Sequence, residues 1–232
     1  MKAKFFKIEA LSNLHVGNGE INYGLIDNLI QRDPVTELPN INSSSLKGAL
    51  REYFKHLEDN GEKKGLWTVS NIFGSRPKDD DKKRKQGNVR FFEAELIAIP
   101  VRDDEKQYLM ISSTTTMNSL ESRIKSFNLS VPTNIKELIG NPIEKESFKE
   151  FKDICSNEEL PVISRNNLED GQSANLWYEQ VLPKHSVLVF AIMGEEKDDE
   201  FETFCKELNG AQVQIGANAT IGYGFCKITE IC

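Results

Sequence analysis

Alternating hydrophobic and polar positions near the start of the chain predict its first strand. In KFFKIEAL, residues 4–11, Phe6, Ile8 and Ala10 fall on one face, as the two-residue period of a β-strand requires. NVRFFEAELIAIPV at 88–101 alternates in the same way. We therefore predict strands at both places.

A helical period lies between them, in SSSLKGALREYFKHLED at 43–59. Its apolar positions recur three and four residues apart and form one buried face. These positions are Leu46, Ala49, Leu50, Tyr53, Phe54 and Leu57. Ser43 or Ser44 is expected to cap the start, because a serine side chain accepts from free backbone N–H groups. Gly48 costs about 1 kcal/mol relative to alanine, and indicates either close approach of another backbone or a tight helix–sheet contact.

The last part of the chain repeats this order. HSVLVFAIM at 185–193 predicts a strand, and DDEFETFCKELNG at 198–210 predicts a helix with acids at its start and a glycine at its end. AQVQIGANATIGYGFCKITEI at 211–231 predicts two strands around a Gly-rich loop. The chain therefore follows the order β–α–β twice, which is the split βαβ arrangement. We predict an α+β fold with a ferredoxin-like, RRM-like palm.

Three stretches do not fit this repeat and predict insertions in a single domain spanning 1–232. They lie at about 12–42, 59–87 and 101–183. The second contains the mixed-charge run PKDDDKKRKQGN, which is typical of a solvated loop. The third ends in a predicted β-hairpin that turns near Asp170–Gly171.

The composition limits the classes of function. Of 232 residues 38% are hydrophobic, and no apolar run is long enough to span a membrane, so we expect no membrane partner and a cytoplasmic location. A net charge of −7 argues against a free-standing nucleic-acid binder, although a local basic stripe can still bind phosphates. The four cysteines form no C-x-x-C pair, which predicts reduced thiols, and the histidines form no H-E-x-x-H zinc signature.

Two glycine-rich stretches lack the features of nucleotide-binding loops. GANATIGYG is not followed by the Lys-Ser/Thr of a P-loop, and GNGEINYG lacks the spacing G-x-G-x-x-G. Gly216, Gly222 and Gly224 indicate a tight turn, a bare backbone that a ligand can approach, or both.

Three separated stretches together resemble the RAMP superfamily of CRISPR-associated RNA-binding proteins. They are LHVGNGEINYGLIDNLIQRDPVTELPNINSSSLKGALRE, SRNNLEDGQSANLWYEQVLPKHSVLVFAI and IGANATIGYGF. The Ser-Ser-x-Lys-Gly-x-x-Arg helix and the Gly-rich loop are similar to signals of the whole superfamily. LWYEQVLP and the loop around Asp27 are similar to the repeated backbone subunits of type III-B effectors, the Cmr complexes. The resemblance covers nearly the whole chain, in the family's order.

This resemblance implies a palm whose copies stack along a guide RNA, each inserting a thumb-like hairpin, here 165–183, into the guide–target duplex. It implies four kinds of partner: CRISPR guide RNA, complementary target RNA, further copies of the chain in a filament, and other subunits of the effector complex. It also implies that the assembled complex is an endoribonuclease acting on target RNA. That activity requires a divalent metal, and Mg²⁺ is the expected ion.

The family's catalytic acid aligns with Asp27. Its carboxylate would bind the metal, or accept the proton of a 2′-OH that attacks the adjacent phosphate. An Asx-type turn is the alternative structural role for Asp27. His15 is the second catalytic candidate, and packing at a strand end is its alternative.

The resemblance also implies a set of contacts to guide RNA, mainly to its phosphates. The set is Lys47, Arg51, Ser44, Ser45, Arg32, Arg165, Gly216, Gly222 and Gly224. A solvated face is the alternative for the charged members. Trp177 and Tyr223 either stack on bases or pack in the core or at a subunit interface.

Several functions stay open from the sequence. The first is a backbone subunit that binds guide RNA and cuts target RNA, which an intact Asp27 favours. The second is a non-catalytic guide-RNA-binding scaffold. The third is a stand-alone guide-processing endoribonuclease, which the acidic charge opposes because a solitary enzyme must hold RNA unaided. A small-molecule enzyme on the same palm has no cofactor motif in its favour.

Overall fold

The computed structural model describes residues 1–20, 24–75, 85–169 and 172–232. The predicted turn at Asp170–Gly171 lies outside these ranges, and so does most of the predicted loop at 77–88.

Strands and helices alternate irregularly along the described chain. The strands are β1 (Lys2–Ala10), β2 (Asn40–Ile41), β3 (Arg90–Phe91), β4 (Ala94–Val101), β5 (Leu109–Ser113), β6 (Ile143–Lys145), β7 (Val162–Glu169), β8 (Gln172–Gln180), β9 (Val187–Gly194), β10 (Gln212–Gln214) and β11 (Phe225–Glu230). The helices are α1 (Ser43–Asp59), α2 (Val69–Phe73), α3 (Thr114–Ser126), α4 (Ile135–Leu138), α5 (Phe148–Ile154) and α6 (Asp199–Leu208). Within the described ranges, no helix is both long enough and apolar enough to cross a membrane.

Four antiparallel strands form the palm, in the order β11-β1-β9-β4. Helix α1 lies between β1 and β4 along the chain, and α6 lies between β9 and β11, which gives the order βαββαβ. This is the split βαβ, ferredoxin-like arrangement, and the predicted α+β fold is confirmed. Strand β10 extends one edge of the sheet, and β5 and β6 extend the other. The boundaries of the single domain and of its three insertions stay a prediction.

Both faces of the palm are covered, which explains why neighbouring residues of β1 are both buried. Phe6 stacks on Phe190 of β9, with ring centroids 5.6 Å apart, in the apolar cluster that includes the buried face of α1. Phe5 points to the opposite cluster, which α3 covers. The predicted common face of Phe6, Ile8 and Ala10 is confirmed, because all three lie in the first cluster.

The start of α1 differs from its prediction. The residue before the helix is Asn42, whose side chain makes no capping hydrogen bond, and Ser43 and Ser44 lie inside the first turn. The prediction that Ser43 or Ser44 caps the helix is therefore wrong. The chain turns earlier because the Asn42 N–H donates to Oε1 of Gln31 at 2.8 Å.

Strands β7 and β8 form a two-stranded sheet of their own. Most of their described side chains are exposed, and an isolated hairpin is marginally stable in water. The base of the hairpin is held instead by the first long loop, through bridges between Asn28 and Glu179 and between Leu14 and Leu182. These bridges bring the loop of Asp27 to the foot of the hairpin.

Candidate functional site

Asp27 is an exposed acid bound to the hairpin by both its backbone and its side chain. Its N–H and that of Asn28 each donate to the Tyr178 carbonyl at 3.1 Å. Its Oδ2 accepts the Tyr178 N–H at 2.8 Å. The Asp27 carboxylate thus bonds to Tyr178 of β8, far along the chain, whereas an Asx-type turn would bond it to its own neighbouring backbone.

The segment after Asp27 is clamped on both sides. The Gln180 N–H of β8 donates to the Asn28 carbonyl at 2.9 Å, while the Asn18 N–H donates to the Leu29 carbonyl at 3.0 Å. The segment therefore lies as an extra strand between the hairpin and the loop that precedes it. This arrangement fixes where the Asp27 carboxylate stands relative to the hairpin.

Glu179 is a buried acid that joins three parts of the site. Its carboxylate accepts from Arg165 Nε at 3.2 Å, from Trp177 Nε1 at 2.9 Å and from Asn218 Nδ2 at 2.8 Å. Burial raises its pKa, but the hydrogen bonds from Trp177 and Arg165 and the nearby charges outweigh it and hold the pKa below the ordinary value. Glu179 was not among the sequence-based candidates. The sequence feature that could have identified it is an acid near the end of a predicted strand that also carries Trp177, with an arginine on the paired strand.

Arg165 and Tyr223 fasten the Gly-rich loop to the hairpin. The guanidinium carbon of Arg165 lies 4.4 Å from the centroid of the Tyr223 ring, within the range of a cation–π contact. Arg165 is also paired with Glu179. Tyr223 and Trp177 therefore both have partners inside the chain, which favours their packing role over base stacking.

His15 is buried beneath the base of the hairpin. Its Nδ1 lies 2.6 Å from the Gln180 carbonyl oxygen. Because a carbonyl only accepts, Nδ1 carries the proton in this contact, and Nε2 is an acceptor when the ring is neutral. The structure thus places His15 behind the hairpin base, where it supports Gln180.

The Gly-rich loop packs against the His15 segment. Gly216 has φ +85°, and a Cβ there would clash with the His15 carbonyl oxygen. Gly224 has φ +74°, and a Cβ there would clash with the Ile215 carbonyl oxygen. At Gly222, with φ +82°, an added Cβ would meet nothing within 4 Å. Close packing within the chain therefore requires the first two glycines, and only Gly222 faces open space.

A groove of about 680 Å³ separates α1 from the Gly-rich loop. Ser44, Ser45 and Gly48 of α1 line one wall, and Gly216 lines the other. A Cβ at Gly48 would meet nothing within 4 Å, so a tight helix–sheet contact does not explain this glycine. Gly48 leaves the groove open toward solvent.

Lys47 and Arg51 face away from this groove. Lys47 Nζ lies 5.8 Å from the ring centroid of Phe91, and burial, with a smaller contribution from Arg51, lowers its pKa. Arg51 lines a separate groove of about 250 Å³ together with Lys55. The predicted contacts on α1 therefore fall into two groups, a serine group and a basic group, on different sides of the helix.

Arg32 is bound within the chain. Its Nε donates to Asn157 Oδ1 at 2.9 Å, and its Nη1 donates to the Glu37 and Cys155 carbonyls at 2.7 Å. These bonds tie the first long loop to the segment after α5. The geometry favours a structural role for Arg32 over contact with RNA.

The site offers few protein ligands for a divalent metal. In the part of the chain that the structure describes, no group of three or more His, Cys, Asp or Glu side chains could hold a metal ion. Asp27 offers one exposed carboxylate, in which Oδ2 already accepts from Tyr178. One carboxylate fits the way Mg²⁺ binds when substrate phosphates and water supply its other ligands.

The chain resembles known proteins over almost its whole length. A model of the RAMP superfamily matches residues 7–227, which confirms the resemblance seen in the sequence. The CRISPR system Cmr endoribonuclease Cmr4 of Pyrococcus furiosus is 25% identical over 289 aligned positions, which cover 99% of this chain and 96% of the relative.

Two solved structures share the fold. One is the cryo-EM structure of the type III-B Cmr-beta complex bound to cognate target RNA, with a TM-score of 0.76, 20% identity, and coverage of 100% of this chain and 98% of the matched chain. The other is the crystal structure of oligomeric Cmr4 from Pyrococcus furiosus, with a TM-score of 0.69, 17% identity, and coverage of 99% and 98%.

Proposed function

The chain belongs to the RAMP superfamily, and from this premise we propose that it is a backbone subunit of a type III-B CRISPR effector that cuts target RNA. Copies of the chain bind guide RNA along a filament, with other subunits of the complex at their side. The names of the relatives support this: one is an endoribonuclease, one complex holds target RNA, and one subunit is oligomeric.

One observation carries the proposal: an exposed carboxylate stands at the foot of a hairpin and is bound to it. Three hydrogen bonds join this loop to Tyr178: two are made by Asp27, and the third by the N–H of the neighbouring Asn28. A hairpin that displaces a base from the guide–target duplex would thus bring the distorted target nucleotide beside the acid. Positioning of this kind lowers the entropic part of the barrier.

The chemistry needs little from the protein beyond position and charge. The 2′-OH of the displaced nucleotide attacks the adjacent phosphorus, the bond from phosphorus to the 5′ oxygen breaks, and the 5′ oxygen takes a proton from water, so the products are a cyclic phosphate and a 5′-hydroxyl. Asp27 accepts the 2′-OH proton, or would hold a divalent metal together with RNA phosphates. That metal, with Mg²⁺ the expected ion, would stabilise the charge on the phosphate.

The rest of the site keeps Asp27 in place. Glu179 joins the hairpin to the Gly-rich loop, and His15 supports Gln180 at the hairpin base. Both act as positioning residues in this proposal, because both are buried.

Guide RNA is held on α1. The Ser44–Ser45 side of the helix faces the open groove, and the first-turn N–H groups there favour phosphate. Lys47 and Arg51 contribute positive charge on the other side.

A guide-binding scaffold without cutting activity is the second candidate. The burial of His15 favours it, because Asp27 is then the one exposed residue of the two catalytic candidates. The two candidates differ only in whether Asp27 acts in chemistry.

The test is cutting by the assembled complex. The chain, guide RNA and the other subunits are combined and given labelled complementary or unrelated RNA, with Mg²⁺ or with EDTA. The proposal expects the complementary RNA to be cut when Mg²⁺ is present and not when EDTA is present, and it expects the unrelated RNA to stay intact. Guide and target binding without cutting would support the scaffold, and failure to retain guide RNA would contradict both.

A further inference from the structure

Gln31 is a buried glutamine whose side-chain amide joins three segments at the edge of the groove. Its Oε1 accepts the Asn42 N–H at 2.8 Å. Its Nε2 donates to the Gly17 carbonyl at 3.1 Å and to Ser45 Oγ at 3.0 Å. Gln31 thus connects the loop before Asp27 to the start of α1.

The orientation of this amide follows from its backbone partners. A backbone N–H only donates and a carbonyl oxygen only accepts, so exchanging Oε1 and Nε2 would oppose donor to donor and acceptor to acceptor. An amide NH₂ group does not accept hydrogen bonds. Ser45 Oγ is therefore the acceptor of its contact with Gln31, and the hydroxyl proton of Ser45 is not used there.

The Ser45 proton has no acceptor among the residues that the structure describes. A serine inside a helix often donates to the carbonyl four residues earlier, which here is that of Ile41. The described hydrogen bonds include no such contact, and Ser45 is half-buried in the wall of the groove. The proton is available to a ligand in the groove.

We propose that Gln31 is a positioning residue that turns the Ser45 hydroxyl into a hydrogen-bond donor for a phosphate oxygen of the guide RNA. The inference rests on the proposed function and deepens it. Phosphate oxygens only accept, so a serine whose lone pair is occupied by Gln31 matches them. The first turn of α1 also favours a negatively charged ligand, because it carries no acidic residue and its free N–H groups point toward the start of the helix.

A double-mutant cycle tests the connection between the two residues. Retention of labelled guide RNA by the assembled complex is measured by filter binding for Gln31→Met, Ser45→Ala and the double variant. Methionine matches the length of glutamine and makes none of its three hydrogen bonds. Each single variant is expected to lower retention about tenfold, as loss of a hydrogen bond to a charged group does. The double variant should lose no more than Gln31→Met alone.

Gln214→Met is the matched control. Gln214 lines the same groove, but its Nε2 donates to the Gly216 carbonyl at 2.9 Å and not to Ser45. Any loss it causes should add to that of Ser45→Ala. If Gln31→Met does not fold, Gln31→Glu replaces it. The carboxylate of this variant still accepts the Asn42 N–H, and it also accepts the Ser45 proton, which is then lost to the RNA. Adding Ser45→Ala to Gln31→Glu should therefore cause no further loss of guide retention.

Additive losses for Gln31 and Ser45, or native retention in Gln31→Met, would overturn the inference while leaving the proposed function intact. A native complex that retains no guide RNA would overturn the proposed function itself. The two failures are therefore distinguishable.

Discussion

Glu179 and Arg165 face each other across the base of the hairpin, with Arg165 Nε 3.2 Å from a carboxylate oxygen of Glu179. The same carboxylate accepts from Asn218 at 2.8 Å. This one acid therefore connects both hairpin strands to the Gly-rich loop. Charge and hydrogen bonds therefore join the hairpin to the Gly-rich loop at this point.

Glu179→Gln should destabilise the protein and change its acid sensitivity. Loss of the charge leaves Arg165 poorly paired, at a cost of about 2 kcal/mol. The pKa of Glu179 is lowered in the folded state, so its stabilisation is present above the unfolded value of about 4.3 and is lost as the pH falls through the folded pKa. Urea unfolding between pH 7 and pH 3 measures both effects.

The control is Glu196→Gln, which removes an exposed charge of the same sign. The Glu179 variant should lose less stability than native protein as the pH falls, and the control should follow the native curve. Equal pH slopes for native protein and the Glu179 variant would show that the acid is not coupled to its neighbours as the geometry indicates.

Lys47→Ala and Arg51→Ala should weaken guide RNA retention for every guide sequence, because phosphate contacts carry no sequence information. Each should reduce the slope of log affinity against log salt by about 0.7, the value for one phosphate of a single strand. Filter binding at several salt concentrations measures this.

Arg32→Ala provides the contrast, because this guanidinium donates to Asn157, Glu37 and Cys155 inside the chain. It should lower the free energy of unfolding by about 2 kcal/mol and leave the salt slope unchanged. A reduced slope for Arg32→Ala would place this residue on RNA after all.

Gly48→Ala should raise stability and lower guide retention at once. Alanine is favoured over glycine inside a helix by about 1 kcal/mol, and the added methyl meets nothing in the chain. The melting temperature should therefore rise by about 2–4 °C. Retention should fall because the methyl enters the groove that RNA occupies.

Ser122→Ala on α3 is the matched control, since Ser122 is exposed on a helix that does not line the groove. It should raise stability slightly and leave guide retention unchanged. Native retention in Gly48→Ala would mean that RNA does not approach α1 at this glycine.

The palm could be predicted from the sequence because its elements have a clear period. The alternation in β1 and the three- and four-residue spacing in α1 both marked residues that are buried in the structure, although β1 also buries Phe5 on its other face. The Gly-rich loop was equally visible. Its internal contacts could not be predicted, because a Cβ at Gly216 would clash with His15, a residue far away in the sequence.

Helix α3 could not be predicted in this way. It begins with three threonines, which are poor helix formers, in a stretch that looked irregular. Ser113 accepts the Thr116 N–H at the start, and Leu120 and Ile124 are buried against the sheet, so packing overrides the local preference. The Ser113–Thr116 cap and the four-residue apolar spacing were the signals that could have shown it.

The site shows the same division. Asp27 was found through resemblance, but its bond to Tyr178 joins residues 151 apart in sequence, and no local pattern encodes such a contact. Glu179 and Gln31 were missed for the same reason: each matters through partners on other segments. Arg32 was predicted to contact guide RNA, yet its partners lie inside the chain.

The most direct test compares target-RNA cutting by complexes that carry native protein, Asp27→Asn or Asp27→Ala. Asparagine keeps an oxygen that can accept the Tyr178 N–H and loses only the charge, whereas alanine loses both. With guide and target binding unchanged, both variants should cut at least about a hundredfold more slowly in single turnover. Native cutting by Asp27→Asn, with loss only in Asp27→Ala, would show that Asp27 anchors the hairpin and would contradict its role in cutting.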